Sequence, residues 1–236
     1  MSDRLDAFLA HHGLGSRSEV RDLIRAGLVT VGGEVCRDTA RQLRGSPVTA
    51  RGLAIVPGVD SATLIVHKPL GLSCSHDVNE SPLLESLYPT ELIHLALEPA
   101  GRLDRDTSGL LIVTSEGQLI HRLTNPKQRI EKRYRITYTG QLSAHAIERC
   151  AKGIVLPNDE RPTLPARLEL HGEGEATLHL TEGRYHQVRL MIAELGGEVV
   201  RLHRDRIGAL SLPTDLAPGT CREATADELS ALFRAE

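Results

Sequence analysis

The sequence predicts an α+β protein of two parts, a small N-terminal module and a larger domain built on a mixed, largely antiparallel sheet. Three observations point there. Helical spacing gives way to a tight hairpin within the first 35 residues, a Gly- and Pro-rich stretch follows at 45–61, and beyond it strand patterns alternate with capped helices. A length of 236 residues suits a small module joined to a larger domain. Hydrophobic residues make up 40% and charged residues 25%, with no apolar run of membrane-spanning length, so fibrous and transmembrane classes are excluded. The first ten residues contain Asp3 and Asp6 and no secretory apolar stretch, which makes the cytoplasm the expected compartment.

Leu5, Phe8 and Leu9 stand at helical spacing, with Gly13 placed to end the helix. Ser16 and Glu19 form a capping box for a second helix, whose apolar stripe is Val20, Leu23 and Ile24 and whose C-terminal cap is Gly27. Arg17, Arg21 and Arg25 recur every fourth residue on this helix, a row suited to an anion, with a solvated amphipathic face as the alternative. The segment Val29 to Glu34 reads as a hairpin around Gly32-Gly33. The stretch from Gly45 to Ser61 reads as a linker, giving expected domains of 1–58 and 59–236.

In the second domain, Ala62 to His67 and Gly109 to Thr114 read as buried strands. Ser81-Pro82 has the form of an N-cap with proline at the first helical position, and Ser115 and Ser143 begin two further helices, the latter closed by Gly153. Tyr134 to Thr139, Ala166 to Leu170 and Ala176 to Thr181 alternate apolar and polar residues, the last two as a hairpin across His171 to Glu175. A helix is expected over Tyr185 to Leu195, and Thr225 with Glu228 caps a final short one.

Charge is uneven. Eight Arg oppose six carboxylates up to residue 51, a net of +2, whereas the remainder carries twenty cations against twenty-five acids, a net of -5. Aromatic residues are 3% with no Trp, so an extended stacking platform for single strands has little to be built from. Cys36, Cys74, Cys150 and Cys221 form no CxxC pair and the histidines show no HExxH spacing, so neither a zinc site nor a disulfide framework is expected.

The loop Gly101-Arg-Leu-Asp-Arg-Asp-Thr-Ser-Gly109, packed with charge just before an apolar strand, is the strongest local candidate for chemistry. Asp104 and Asp106 offer a nucleophile or base, a glycosidase-like carboxylate pair, or a solvated turn held by Arg102 and Arg105, and spacing alone leaves these open.

Arg4-Leu-Asp-Ala-Phe-Leu, Ser16-Arg-Ser-Glu-Val-Arg and Ile24 to Glu34 together resemble the S-four RNA-binding module. Gly101 to Leu111 resembles the signature of the RsuA-type pseudouridine synthases, and the resemblance runs in order through His67-Lys-Pro-Leu-Gly71, Lys132-Arg-Tyr-Arg135, Glu182-Gly-Arg-Tyr-His-Gln-Val-Arg189 and Leu202 to Gly208. It implies a pseudouridine synthase catalytic domain behind the S-four-like module, with Asp104 as nucleophile on a uridine, Arg189 as its cationic partner, Tyr134 as the active-site ring, and no cofactor or metal. An ionised carboxylate beside a guanidinium and a ring for an extruded base fit those roles.

Lys68, Arg102, Lys132, Arg133 and Arg135 join Arg17, Arg21 and Arg25 as expected RNA contacts, the run Lys127 to Arg135 holding five cations against Glu131. The sequence departs from the family pattern at His67, where Asn is frequent, and at Leu190, where a second basic residue is common. Ala151 to Val155, Arg161 to Glu169, Gly183 to Val188 and Asp215 to Gly219 look most like the small-subunit enzymes, implying 16S rRNA, naked or in an assembly particle, and a monomer that binds no membrane. The alternatives are a synthase acting on 23S rRNA, a non-catalytic ribosome assembly protein, and, last, a glycosidase using Asp104 and Asp106.

Overall fold

The computed structural model describes residues 4–55, 61–157 and 159–234. The chain forms two compact units, one of Met1–Ala62 with Tyr88–Glu98 and one of Thr63–Leu87 with Pro99–Glu236. The expected boundary between residues 58 and 59 falls within 56–60, outside the described residues.

In the first unit, α1 (Leu5–His11) and α2 (Arg17–Arg25) pack over a sheet ordered β2-β1-β3-β4. The Ser16–Glu19 capping box forms in both directions, satisfying N-terminal donors that would otherwise be orphaned. The strands β1 (Val29–Val31) and β2 (Glu34–Val35) turn through Gly32 and Gly33, both at positive φ, as a two-residue hairpin of this hand requires. The Gly- and Pro-rich stretch is not wholly a linker. Its first half folds as β3 (Val48–Ala50) and β4 (Leu53–Ile55), which pair with each other and with β1. Leu5, Leu9, Val20, Ile24, Val29 and Val48 close a small apolar core.

The second unit is built on one sheet whose order runs β13-β5-β7-β11-β8-β10-β9. Its strands are β5 (Thr63–Lys68), β7 (Thr107–Thr114), β8 (Lys132–Gly140), β9 (Arg167–Leu170), β10 (Glu175–Leu180), β11 (Gly197–Ile207) and β13 (Cys221–Glu223), with β12 (Leu210–Ser211) beside β11 and β6 (Glu98–Pro99) where the chain passes between units. Neighbours along that order are antiparallel except β7 and β11, which makes the sheet mixed and largely antiparallel, as expected. The hairpin of β9 and β10 forms across residues 171–174.

Helices α3 (Gly117–Thr124), α4 (Ala146–Lys152), α5 (Gln187–Glu194) and α6 (Ala226–Ala231) complete the unit, and Thr225 and Glu228 cap α6 reciprocally. Three expectations are corrected. Ser81-Pro82 is a cis peptide and begins no α-helix, only 3₁₀ turns following at Leu84–Leu87. The helix expected from Tyr185 starts at Gln187, because His186 takes a left-handed backbone (φ 48°, ψ 28°) that no α-helix accommodates. The eleven-residue strand β11 sits where the sequence pattern offers only a short charged motif. No helix among the described residues is long and apolar enough to cross a membrane.

Candidate active site

The loop before β7 is shaped from within by Lys68. Its side chain is fully buried, and Nζ donates to the carbonyls of Pro69 (3.1 Å), Asp104 (3.0 Å) and Thr107 (2.8 Å), with Arg105 O at 3.5 Å. Burial lowers its pKa, and the nearby Cys74, Asp104 and Asp106 oppose that shift. A buried ammonium is tolerable only with its donors satisfied, and here the acceptors are the turns that carry the carboxylates. Lys68 is thus turned inward rather than to the surface expected of an RNA contact, because exposure of a lysine is set by what packs over it. Gly71 N–H donates to Arg105 O (2.8 Å) while Arg105 Nε donates back to Gly71 O (3.0 Å), so the 67–71 and 101–109 motifs interlock.

Gly109 ends the loop for a steric reason. At φ 118°, a Cβ there would lie 2.1 Å from the carbonyl oxygen of Arg204, its register partner on parallel β11. That approach brings Arg204 beneath the loop, where its guanidinium, 1% exposed at the residue level, donates to Leu110 O (2.9 Å), Gly101 O (3.1 Å) and the Tyr134 hydroxyl (3.5 Å). Two buried cations thus fix the main chain around Asp104, whose side chain remains 34% exposed and lines a cleft of ≈ 850 Å³ with Tyr134, Lys132, Arg102, Arg184 and His186.

Asp104 and Asp106 differ in surroundings although two residues apart. His186 Nε2 lies 3.5 Å from Asp104 Oδ1. Asp106 does not line the cleft and holds Arg189 at 2.8 Å through its carboxylate and 3.1 Å through its carbonyl. The pairing expected between Arg189 and Asp104 is therefore not the one observed. Arg189 Nη1 also donates to Val199 O, which ties α5 to the loop and to β11. This division removes the geometry of a carboxylate pair across one cleft.

The segment ahead of α5 is held equally firmly. Buried Glu182 accepts from Leu164 N–H (2.8 Å), Gln187 Nε2 (2.8 Å) and Arg184 Nε (3.3 Å). Arg184 further donates to Asp159 Oδ2 (2.9 Å) and to the carbonyls of Arg161 (2.8 Å) and Pro162 (2.7 Å). These bonds fix the backbone on which Tyr185 and His186 stand. Sequence reasoning passed over His186, Arg184 and Arg204; the left-handed backbone and the buried guanidinium leave no local signal.

The basic run of β8 is split by the two-residue alternation of a strand. Tyr134 (8% exposed) and Lys132 face the cleft, and burial, reinforced by Arg204, lowers the Lys132 ammonium to about 8. Arg133 and Arg135 face the opposite side, where both donate to Asp205, Arg133 in a fork of 2.8 and 3.0 Å and Arg135 at 2.6 Å. Burial works to raise the Asp205 carboxyl, and the two guanidiniums overcome it, holding it below the usual carboxylate range. The expected single patch over Lys127 to Arg135 is therefore two faces with separate partners. In the N-terminal unit, Arg17 is exposed and Arg25 lies 3.5 Å from Asp22, but Arg21 is turned to the buried Asp6 (3.1 Å), which Arg4 also holds.

The cleft thus joins an accessible carboxylate, Asp104, to a buried tyrosine and a rim of Arg102, Arg105 and Arg184. The family model for RNA pseudouridylate synthase matches residues 62–194, and that of the S4 domain matches residues 3–46. Over 228 residues, 96% of this chain and 98% of the relative, the sequence is 36% identical to ribosomal small subunit pseudouridine synthase A of Pasteurella multocida (strain Pm70). It is 38% identical over 230 residues, 97% of this chain and 99% of the relative, to the protein of the same name from Escherichia coli (strain K12). A crystal structure of a pseudouridylate synthase superposes with a TM-score of 0.69 at 34% identity, covering 97% of this chain and 99% of that one. The chain belongs to the RNA pseudouridylate synthase family, and it carries an S4 domain at its N-terminus.

Proposed function

We propose that this enzyme isomerises one uridine of 16S rRNA to pseudouridine, with Asp104 as the nucleophile. The carrying observation is the state of Asp104: its main chain is pinned by Lys68, while its carboxylate is left open to the cleft beside Tyr134. Attack breaks the C1′–N1 bond, the freed uracil turns, and C5 bonds to C1′ as Asp104 is released. N1 gains a proton and C5 loses one, so the reaction is a net isomerisation that consumes no cofactor. Tyr134 serves as the ring against which the extruded uracil lies, and Arg189 positions the nucleophile's turn through Asp106.

The substrate reading is supported by near-complete overlap with relatives named for the small ribosomal subunit. Extrusion of a uridine from structured RNA costs a few kcal/mol, helped by phosphate contacts on either side. Arg102 at the cleft, with Arg17 and Arg25 on the N-terminal module, supplies these in our reading, and the enzyme works as a cytoplasmic monomer.

The test is release of tritium from 16S and 23S transcripts carrying 5-³H uridine. We expect stoichiometric release of one tritium from 16S, none from 23S, and none from either with Asp104→Asn. Release from 23S alone would move the substrate to the large subunit, and release by Asp104→Asn would remove the nucleophile.

A further inference from the structure

The chain has four Tyr, two Phe and no Trp. Tyr88, Tyr134, Tyr138 and Phe8 are buried, and Phe233 is covered by the Arg122 guanidinium at 3.8 Å. Tyr185 stands apart at 81% exposed on the rim of the Asp104 cleft. Its ring lies 3.9 Å from that of His186 with 16° between planes, and His186 in turn reaches 3.5 Å from Asp104. The two rings form a short stack whose inner end meets the candidate nucleophile and whose outer face is open to solvent.

The backbone beneath this stack is held by its neighbours. His186 is held in a left-handed backbone that a non-glycine residue adopts at a cost. The flanking Glu182 and Arg184 anchor it through bonds to residues 159–164, and Gln187 bonds to both of them. A large ring open to water, stacked on a histidine whose side chain reaches the reacting carboxylate, is an aromatic surface beside the reacting centre. The ligand that offers a flat π-face beside an extruded uridine is the neighbouring nucleobase of the same RNA strand. Every base has such a face, so recognition there is tolerant of sequence.

We propose that Tyr185, stacked on His186, is a nucleobase-binding site that receives the base adjoining the target uridine and so holds the strand open around the extruded nucleotide. This rests on the reading that a uridine of RNA enters the Asp104 cleft. The absence of Trp gives a direct probe, since Tyr185→Trp creates a single indole at the site.

Addition of full 16S transcript to Tyr185→Trp is expected to quench its emission in step with binding measured by filter retention. Tyr185→Ala should bind the same transcript about ten- to a hundredfold more weakly, the range of a lost base–aromatic stack, while Tyr185→Phe stays within about threefold of wild type. The same titration in Asp104→Asn with Tyr185→Trp should quench equally. Binding without quenching, or an affinity that Tyr185→Ala leaves unchanged, would overturn the proposal. Quenching retained in an enzyme that releases no tritium from either transcript would sink the reaction and leave the stacking site standing; binding to neither transcript would remove both.

Discussion

The two faces of β8 both begin with cations and do different work. On the face toward the cleft, Lys132 and Tyr134 lie under the Arg204 guanidinium, close to Asp104. On the other, Arg133 and Arg135 converge on Asp205, at a point where β11 has one residue more than its partner strand. Alternation separates Arg204 from Asp205, so β11 sends a cation under the active loop and an anion to neutralise the rear. A charge run in a sequence is therefore no measure of a charged surface, because alternation divides it and buried partners cancel it.

The sharpest way to break the cleft side is to move its supports. Gly109→Ala would drive a methyl into the Arg204 carbonyl and separate β7 from β11, and we expect a loss of at least about 3 kcal/mol in urea unfolding, with activity gone. Lys68→Met strips a donor from the carbonyls of Pro69, Asp104 and Thr107, leaving buried acceptors unpaired. A cost of about 2–4 kcal/mol is expected, with turnover falling more than rRNA affinity. An equal fall in both would show the loop to be independent of its strut.

Lys132 supplies a test of opposite sign. Its folded pKa of about 8 lies below the ordinary 10.5, so the charged form is disfavoured in the fold. Both states are protonated below pH 8 and the full penalty applies there; between about pH 8 and 10.5 the folded protein sheds the proton first and stability rises relative to a variant without the group. Lys132→Met should accordingly be more stable than wild type at pH 7, by up to roughly 3 kcal/mol, with the gain shrinking toward pH 10.5. A difference that does not change with pH would refute the assignment.

The smallest effects distinguish the faces in binding. Arg102→Gln should weaken rRNA binding and lower the salt slope by about one, whereas Arg135→Gln, at the rear and 71% exposed, should change the slope little and stability by less than about 1 kcal/mol. Equal slopes for the two variants would erase the distinction.

What was legible in the sequence was local. The capping boxes at Ser16 and Thr225, the Gly32-Gly33 turn and the alternation of β8 all act over a few residues, and each is present, whereas β10 is buried on both faces. The Gly101-to-Gly109 loop was legible as a motif, but its reasons were not: Gly109 is required by a strand nearly a hundred residues later, and Lys68 is consumed by a loop distant in sequence. Strands β3 and β4 hid in a Gly- and Pro-rich stretch because three-residue strands leave almost no periodic signal. The partners of His186 and Arg189 are not written in spacing, since which of Asp104 and Asp106 a cation meets is decided by the turn between them.

The central claim is that Asp104 opens the glycosidic bond of one small-subunit uridine, and its most direct test is pseudouridine mapping of 16S and 23S rRNA from cells lacking the gene. Restoration with wild type should return one 16S pseudouridine, and restoration with Asp104→Asn should return none, a loss on the order of 10⁴-fold or more in rate. A 16S site that Asp104→Asn restores as fully as wild type, or a deletion that leaves every pseudouridine in place, would contradict it.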